Sequence, residues 1–269
     1  MILNWFHFWL WKISLNMLQI IFWGRNVMFN IPEHYKIDVK LALKDFIPKD
    51  LKPEDKKRIK DAVKEVRLMY QIAGEEIPSV INDEYRCEVI QFYEMELQSI
   101  NVAPYLASVY QNLIKPLCIF HMHDSQHELY SFAMKRLNQT DENQIVVEHS
   151  LLTESYPVGL PDDGRNRLLK YLDYVQIKNK INKINLYKEW YYRTYMIMNE
   201  SAYSGTELIL DGNGWYDSKH MELLYTYYKK LVDARGMLKK AVTNVERMNC
   251  NKEIKNVIEV LNKEYFILD

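Results

Sequence analysis

The chain has 269 residues and a formal net charge of -1, with 48% hydrophobic, 26% charged and 13% aromatic residues. That composition excludes collagen-like, disordered and strongly charged chains, so any nucleic-acid affinity must come from a local patch. Only 8 glycines and 8 prolines leave little room for linkers or a many-turned β-sandwich, and helix is expected to dominate around a sizeable core.

Residues 1–27 differ from the rest. They hold Trp5, Trp9, Trp11 and Trp23, four of the six tryptophans, and no Asp or Glu. Three readings fit: a membrane-associated or spanning helix, a helix packed in the body, or an extension ahead of a natural start at Met28. Lys12 and several polar residues interrupt the run, and the charged start and small-residue cleavage site of a signal peptide are missing. Cys87, Cys118 and Cys250 are an odd, widely spaced set without a CxxC pair. That points away from a disulfide framework and a structural zinc site, and towards the cytoplasm.

The body opens with Met28-Phe29-Asn30-Ile31-Pro32 and a short helical pattern through Phe46 to Pro48. From Leu51 the signals are those of a long helix: Pro53 early, Glu54 and Asp55 in the first turn, and Gly74 past the end. Ile59, Ala62, Val63, Val66, Met69, Tyr70 and Ala73 would form its apolar face, with Lys57, Lys60, Lys64 and Arg67 opposite. Alternation predicts a strand over 88–98, and the runs 117–122 and 128–135, joined as a hairpin through Asp124-Ser125-Gln126, and the apolar run 145–152 predict three more. A helix is predicted over 103–114. Turn residues from Pro157 to Gly164 then close an α+β domain over 28–164, with a mixed sheet of about four to five strands.

Beyond Gly164 a helical region, 165–269, is expected. One tyrosine-rich helical stretch would run over 165–198, and a helix capped at Asp217 or Ser218 would follow. In that last helix Leu224, Tyr227, Leu231, Ala234, Leu238, Ala241, Val245 and Met248 recur at alternating three- and four-residue steps, a coiled-coil-like seam over 217–249. Leu224, Leu231, Leu238 and Val245 are the candidate partner interface. The seam could instead pair within the chain with a terminal helix marked by Ile254, Val257, Ile258 and Leu261.

Several groups could carry chemistry. Metal-dependent nucleases of the restriction type place an acid before a strand and a Glu-x-Lys within it, because a divalent cation needs hard oxygen ligands and the third group handles the attacking water. Asp83, Glu94, Glu96 and Gln98, with Lys135 as a displaced base, form a loose version of that set; magnesium would be its cofactor, and the non-enzymatic reading needs none. His121 and His123, two apart on a strand, share a face near Asp124 and His127 and could bind zinc or another transition metal, although a polar hairpin tip is the commoner explanation of such a set. Arg165, Arg167, Lys170, Lys178, Lys180, Lys183, Lys188 and Arg193, interleaved with tyrosines and Trp190, are the candidate nucleic-acid surface, since cations meet phosphates and rings stack on bases. A core helix with a wet basic side is the competing reading. Phosphate-binding Gly-rich loops, HExxH, GxSxG and kinase motifs are absent from the sequence.

The order of short motifs resembles a bacterial family, domain of unknown function 4391: Met28 to Pro32, Phe46-Ile47-Pro48-Lys49, Glu94-Met95-Glu96-Leu97, Leu113 to Phe120, and Met248 to Lys255. The resemblance covers most of the body after Met28. It implies small proteins encoded beside DNA methyltransferase and helicase genes of restriction-type loci, with a role in defence. In the family the acidic strand tends to end in Lys, where this chain has Gln98. The expectation is an accessory or adaptor protein that docks a methyltransferase or helicase subunit, or a second copy, and contacts DNA. The alternative is a metal-dependent nuclease, and membrane contact would arise only through 1–27.

Overall fold

A computed structural model describes residues 28–49, 51–141 and 144–263; the apolar segment 1–27 lies outside them. The sheet begins at its edge with Lys36–Lys40 (β1), an exposed strand. Leu43–Phe46 (α1) and Pro53–Ala62 (α2) follow, and α2 starts with Pro53 and two acids in its first turn, as its sequence dictates. It ends twelve residues before Gly74, however, and Val63–Ile72 is a strand (β2). Irregularities in its pairing, between Val63 and Glu65 and between Leu68 and Tyr70, shift which side chains face inward. Val63, Val66, Tyr70 and Ile72 are therefore the buried positions, a spacing that imitates a helix face. Gly74, at φ +79°, turns the chain after the strand instead of capping a helix.

Val80–Ile81 (β3) and Arg86–Cys87 (β4) form a separate two-stranded ribbon. Ile90–Leu97 (β5) pairs antiparallel with β2; Ala103–Leu113 (α3) then crosses over to Leu117–His123 (β6), which runs parallel to β5. His127–Leu137 (β7), Ile145–Leu152 (β8) and the short Tyr156–Pro157 (β9) complete a seven-stranded mixed sheet in the order β1-β2-β5-β6-β7-β8, with β9 beside β7. The α+β class stands; the sheet exceeds the expected four to five strands because β1 is a short exposed edge strand, β2 has a helix-like burial spacing and β9 is only two residues long.

The helical stretch expected over 165–198 is two helices, Asp163–Leu172 (α4) and Lys183–Met198 (α5). Asp162 caps the first and Asn182 the second, each accepting a backbone N–H three residues on. The link between them is pinned by the buried Glu189 carboxylate, which accepts the N–H groups of Lys178 and Asn179 and a hydrogen bond from Arg193 Nε at 2.7 Å. Thr206–Asp211 (α6), Ser218–Lys240 (α7) and Asn244–Leu261 (α8) follow, with Asp217 capping α7 as its sequence indicates.

The coiled-coil seam is corrected. Helix α7 stops at Lys240, Ala241 is extended, and a Thr243–Glu246 capping box starts α8, which packs back against α7. A strong N-terminal signal inside the apparent repeat overrides its period.

The core lies on both faces of the sheet. Helix α3 covers one face, where Ala103, Leu106 and Tyr110 meet Tyr93, Met95 and Phe120. The helical region covers the other, where Trp190 of α5 packs edge-on to Phe92 with ring centroids 5.4 Å apart. Sheet and C-terminal helices therefore share one apolar cluster.

Candidate functional site

Alternation along each strand decides what the helix-covered face carries. At one end it is aromatic and aliphatic, with Phe92, Ile119 and Phe132 adjacent. At the other it turns polar. Pairing sets Arg67, Glu94, His121 and Tyr130 in one cross-strand row over β2, β5, β6 and β7, and Glu65, Glu96, His123 and Glu128 in the next. Residues in one row share a face and lie within side-chain reach.

The inner part of this cluster is sealed. Glu128 is fully buried and His121 nearly so; Glu128 Oε2 lies 2.7 Å from His121 Nε2, while its Oε1 accepts from Arg165 Nε in the first turn of α4. Arg165 thus ties the helical region to the sheet through a buried charge. Tyr130 stacks on His121 at 4.8 Å, and His123 stacks on its other neighbour position at 5.2 Å. The outer part is half-open. Glu94 Oε1 lies 3.3 Å from His123 Nε2 and 3.9 Å from His121 Nδ1. Arg67 donates to Asp38 Oδ1 at 3.0 Å and Glu65 Oε1 at 2.9 Å, and Lys64 lies 3.1 Å from Glu96.

These partners set the protonation states. The hydrogen bond from His123 holds the Glu94 carboxyl below its usual range, more than burial raises it. Burial pushes His123 down, but the hydrogen bond and charge of Glu94 outweigh it and the imidazolium is favoured. Burial likewise pushes Glu128 up, and the hydrogen bonds and charges of His121 and Arg165 outweigh it, so it is lowered. Arg165, Glu128 and His121 form a hydrogen-bonded set in the interior, and Glu94 with His123 forms a second pair nearer the surface, 3.9 Å from His121 Nδ1.

The fit to a divalent cation is poor. Glu94 Oε1 already faces two imidazoles and Glu96 Oε1 faces Lys64. Asp83 is exposed between β3 and β4, beside a cavity of about 350 Å³ that it shares with Arg136 and Leu137. Leu137 is at the far end of β7 from Glu128, about 30 Å along the strand. Gln98 is exposed beyond β5. Lys135 reaches the opposite face of the sheet, under the C-terminal end of α3. Of the nuclease set, only Glu94 and Glu96 come together. Among the described residues no group of three or more His, Cys, Asp or Glu could hold a metal ion, the His121, His123, Asp124 and His127 set included; Asp124 instead accepts the N–H groups of Gln126, His127 and Ile100, which fixes the hairpin turn.

The basic, tyrosine-rich residues are engaged inside the molecule. Lys183 is fully buried and donates to Gly74 O and Ile77 O, while Arg193 is buried on Glu189. Arg165 is held by Glu128, Arg167 pairs with Glu200, and Lys188 pairs with Glu222. Lys178 caps α6 through Asp211 O and Gly212 O, and Lys180 lies over the Tyr174 ring. Only Lys170 of the eight is exposed. Tyr171, Tyr187, Tyr191 and Tyr192 are core, while the basic side that the competing reading left wet is itself largely engaged within the molecule. Helix α2, which carries Lys57 and Lys60, and strand β2, which carries Lys64 and Arg67, likewise make no single cationic stripe.

Of the seam residues, Leu224 and Leu231 are buried in the chain's own core, Leu238 packs against it, and Val245 is exposed. Sequence reasoning missed Glu128, Arg165, Arg67 and Tyr130 as members of the polar cluster. The hairpin turn at Asp124 would have placed Glu128 across from His123, and that register was the available signal.

Fold and cluster define a mixed-sheet α+β protein with a polar carboxylate–histidine end. The chain belongs to the family described as domain of unknown function (DUF4391), whose model matches residues 29–261. No curated protein and no solved structure matched it. No helix among the described residues is long and apolar enough to cross a membrane.

Proposed function

We propose that this protein is a non-enzymatic accessory component of a bacterial restriction-type or anti-phage defence locus. It acts in the cytoplasm and docks a partner, a methyltransferase or helicase subunit, through the tip of the α7–α8 hairpin. The observation that carries the reading is at that tip: Met237, Val242, Val245 and Met248 are 58%, 84%, 67% and 71% exposed within one short stretch. Apolar side chains gathered on a rigid hairpin are the usual material of a docking surface. The buried seam below them fixes the hairpin while the tip stays free of the core.

Purifying the tagged full chain from its own cell tests this: a protein of the same locus should be retained by the wild type and released by Met248→Glu. The alternative, a metal-dependent nuclease, is tested by adding magnesium and DNA. Cleavage by the wild type that disappears in Glu94→Ala/Glu96→Ala would replace the adaptor reading with the enzymatic one.

A further inference from the structure

A second polar group lies on the face of the sheet away from Glu94. Lys135 of β7 is 4% exposed and Cys118 of β6 is 0%. The Lys135 Nζ is 2.7 Å from Ile114 O, 3.0 Å from Pro116 O and 3.2 Å from Cys118 Sγ. The thiol in turn donates to Gln111 Oε1 at 3.3 Å, and Gln111 Nε2 donates to Ser131 Oγ at 3.2 Å. Amine and thiol are thus held in contact by partners that have nowhere else to go. A cavity of about 20 Å³, lined in part by Lys135, Leu117 and Cys87, lies beside this lysine and has room for about one water-sized molecule.

We propose that Cys118 and Lys135 form a reversible sulfur–nitrogen cross-link when the protein meets hydrogen peroxide, tying β6 to β7. In the first step the thiol sulfur attacks one peroxide oxygen and the O–O bond breaks. Sulfur is oxidised by two electrons, the peroxide is reduced, and the thiol proton leaves with the departing hydroxide as water, giving Cys118 sulfenic acid. In the second step the Lys135 nitrogen lone pair attacks that sulfur. The S–O bond breaks, an S–N bond forms, and hydroxide leaves with an amine proton as a second water. Burial assists this step: it pushes the lysine ammonium down towards the neutral, nucleophilic amine. Burial also raises the thiol, which slows the first step and sets Cys118 apart from an exposed thiol that oxidises at once. Fixed contact then favours the amine over any competing nucleophile in solution. A small thiol reverses the link by attacking the sulfur and releasing the amine.

The test uses the full chain, treated with hydrogen peroxide, alkylated and digested with trypsin. The expected product is the single tryptic peptide Cys87–Arg136, which holds both residues: it is uncut after Lys135, alkylated at Cys87 but not at Cys118, lighter by two hydrogens than its free-thiol form, and opened by dithiothreitol. Lys135→Arg keeps a cationic donor for the Ile114 and Pro116 carbonyls but not a nucleophilic amine, so its Cys118 should end as a dimedone-trapped sulfenic acid without a link. An unreacted Cys118 in the wild type overturns the proposal. So does a dimedone adduct or sulfinic acid at the same yield in wild type and variant. Should Lys135→Arg not fold, the wild-type digest alone decides between linked and unlinked peptides.

Discussion

Glu128 has no exposed surface and carries a charge between His121 and Arg165. Replacing it by Gln leaves Arg165 facing a neutral group in the interior, and such a broken buried pair costs about 3–5 kcal/mol. The Glu128 carboxyl is lowered from 4.5, so its contribution is fully present above that value and fades as pH falls through the folded-state value. Urea unfolding of wild type and Glu128→Gln should therefore differ by that amount at neutral pH and converge in acid. His123 has the opposite sign. Its folded value is raised above 6.5, so its bond to Glu94 stabilises below 6.5 and is lost as pH rises through the folded value. His123→Gln should cost about 1 kcal/mol at mildly acidic pH and little in alkaline buffer, read from the same unfolding curves. A deficit for His123→Gln that grows with pH would refute the assigned protonation.

At the scale of elements, the two hydrophobic seams of α7 and α8 act differently from one end to the other. Leu231→Ala removes a fully buried side chain and should lower stability by about 2–5 kcal/mol without altering the oligomeric state seen by sedimentation. Asp217→Ala removes the α7 cap and should cost about 1 kcal/mol. The β6–β7 hairpin and β8 were legible as short apolar runs between turns marked by Asp124 and by Pro and Gly residues, and α3 by its helical spacing. Strand β2 was not, since two bulges gave its burial a helical spacing. Strand β1 was not, since the alternation of Ile37 and Val39 with Lys and Asp spans only five residues and merges with the apolar residues that follow. In the polar cluster, the shared face of His121 and His123 followed from their two-residue spacing. Arg165 did not, because it reaches Glu128 from 37 residues further along the chain. The basic stretch misled for a related reason: lysines that donate to carbonyls, as Lys183 and Lys178 do, look in sequence like lysines that face phosphate.

Across the whole molecule, one apolar cluster joins the sheet to the C-terminal helices, and the Glu128–Arg165 pair locks the same joint electrostatically. Among the exposed apolar side chains of the described residues are those at the tip of the α7–α8 hairpin, and the account of this protein as an adaptor rests on them. The most direct measurement is the dissociation constant of the purified chain and its locus-encoded partner, for wild type and for Val245→Glu/Met248→Glu, with the unfolding midpoint of each. The adaptor account expects at least a tenfold weaker complex, about 1.4 kcal/mol, with an unchanged midpoint. Equal affinity in the two proteins would contradict it.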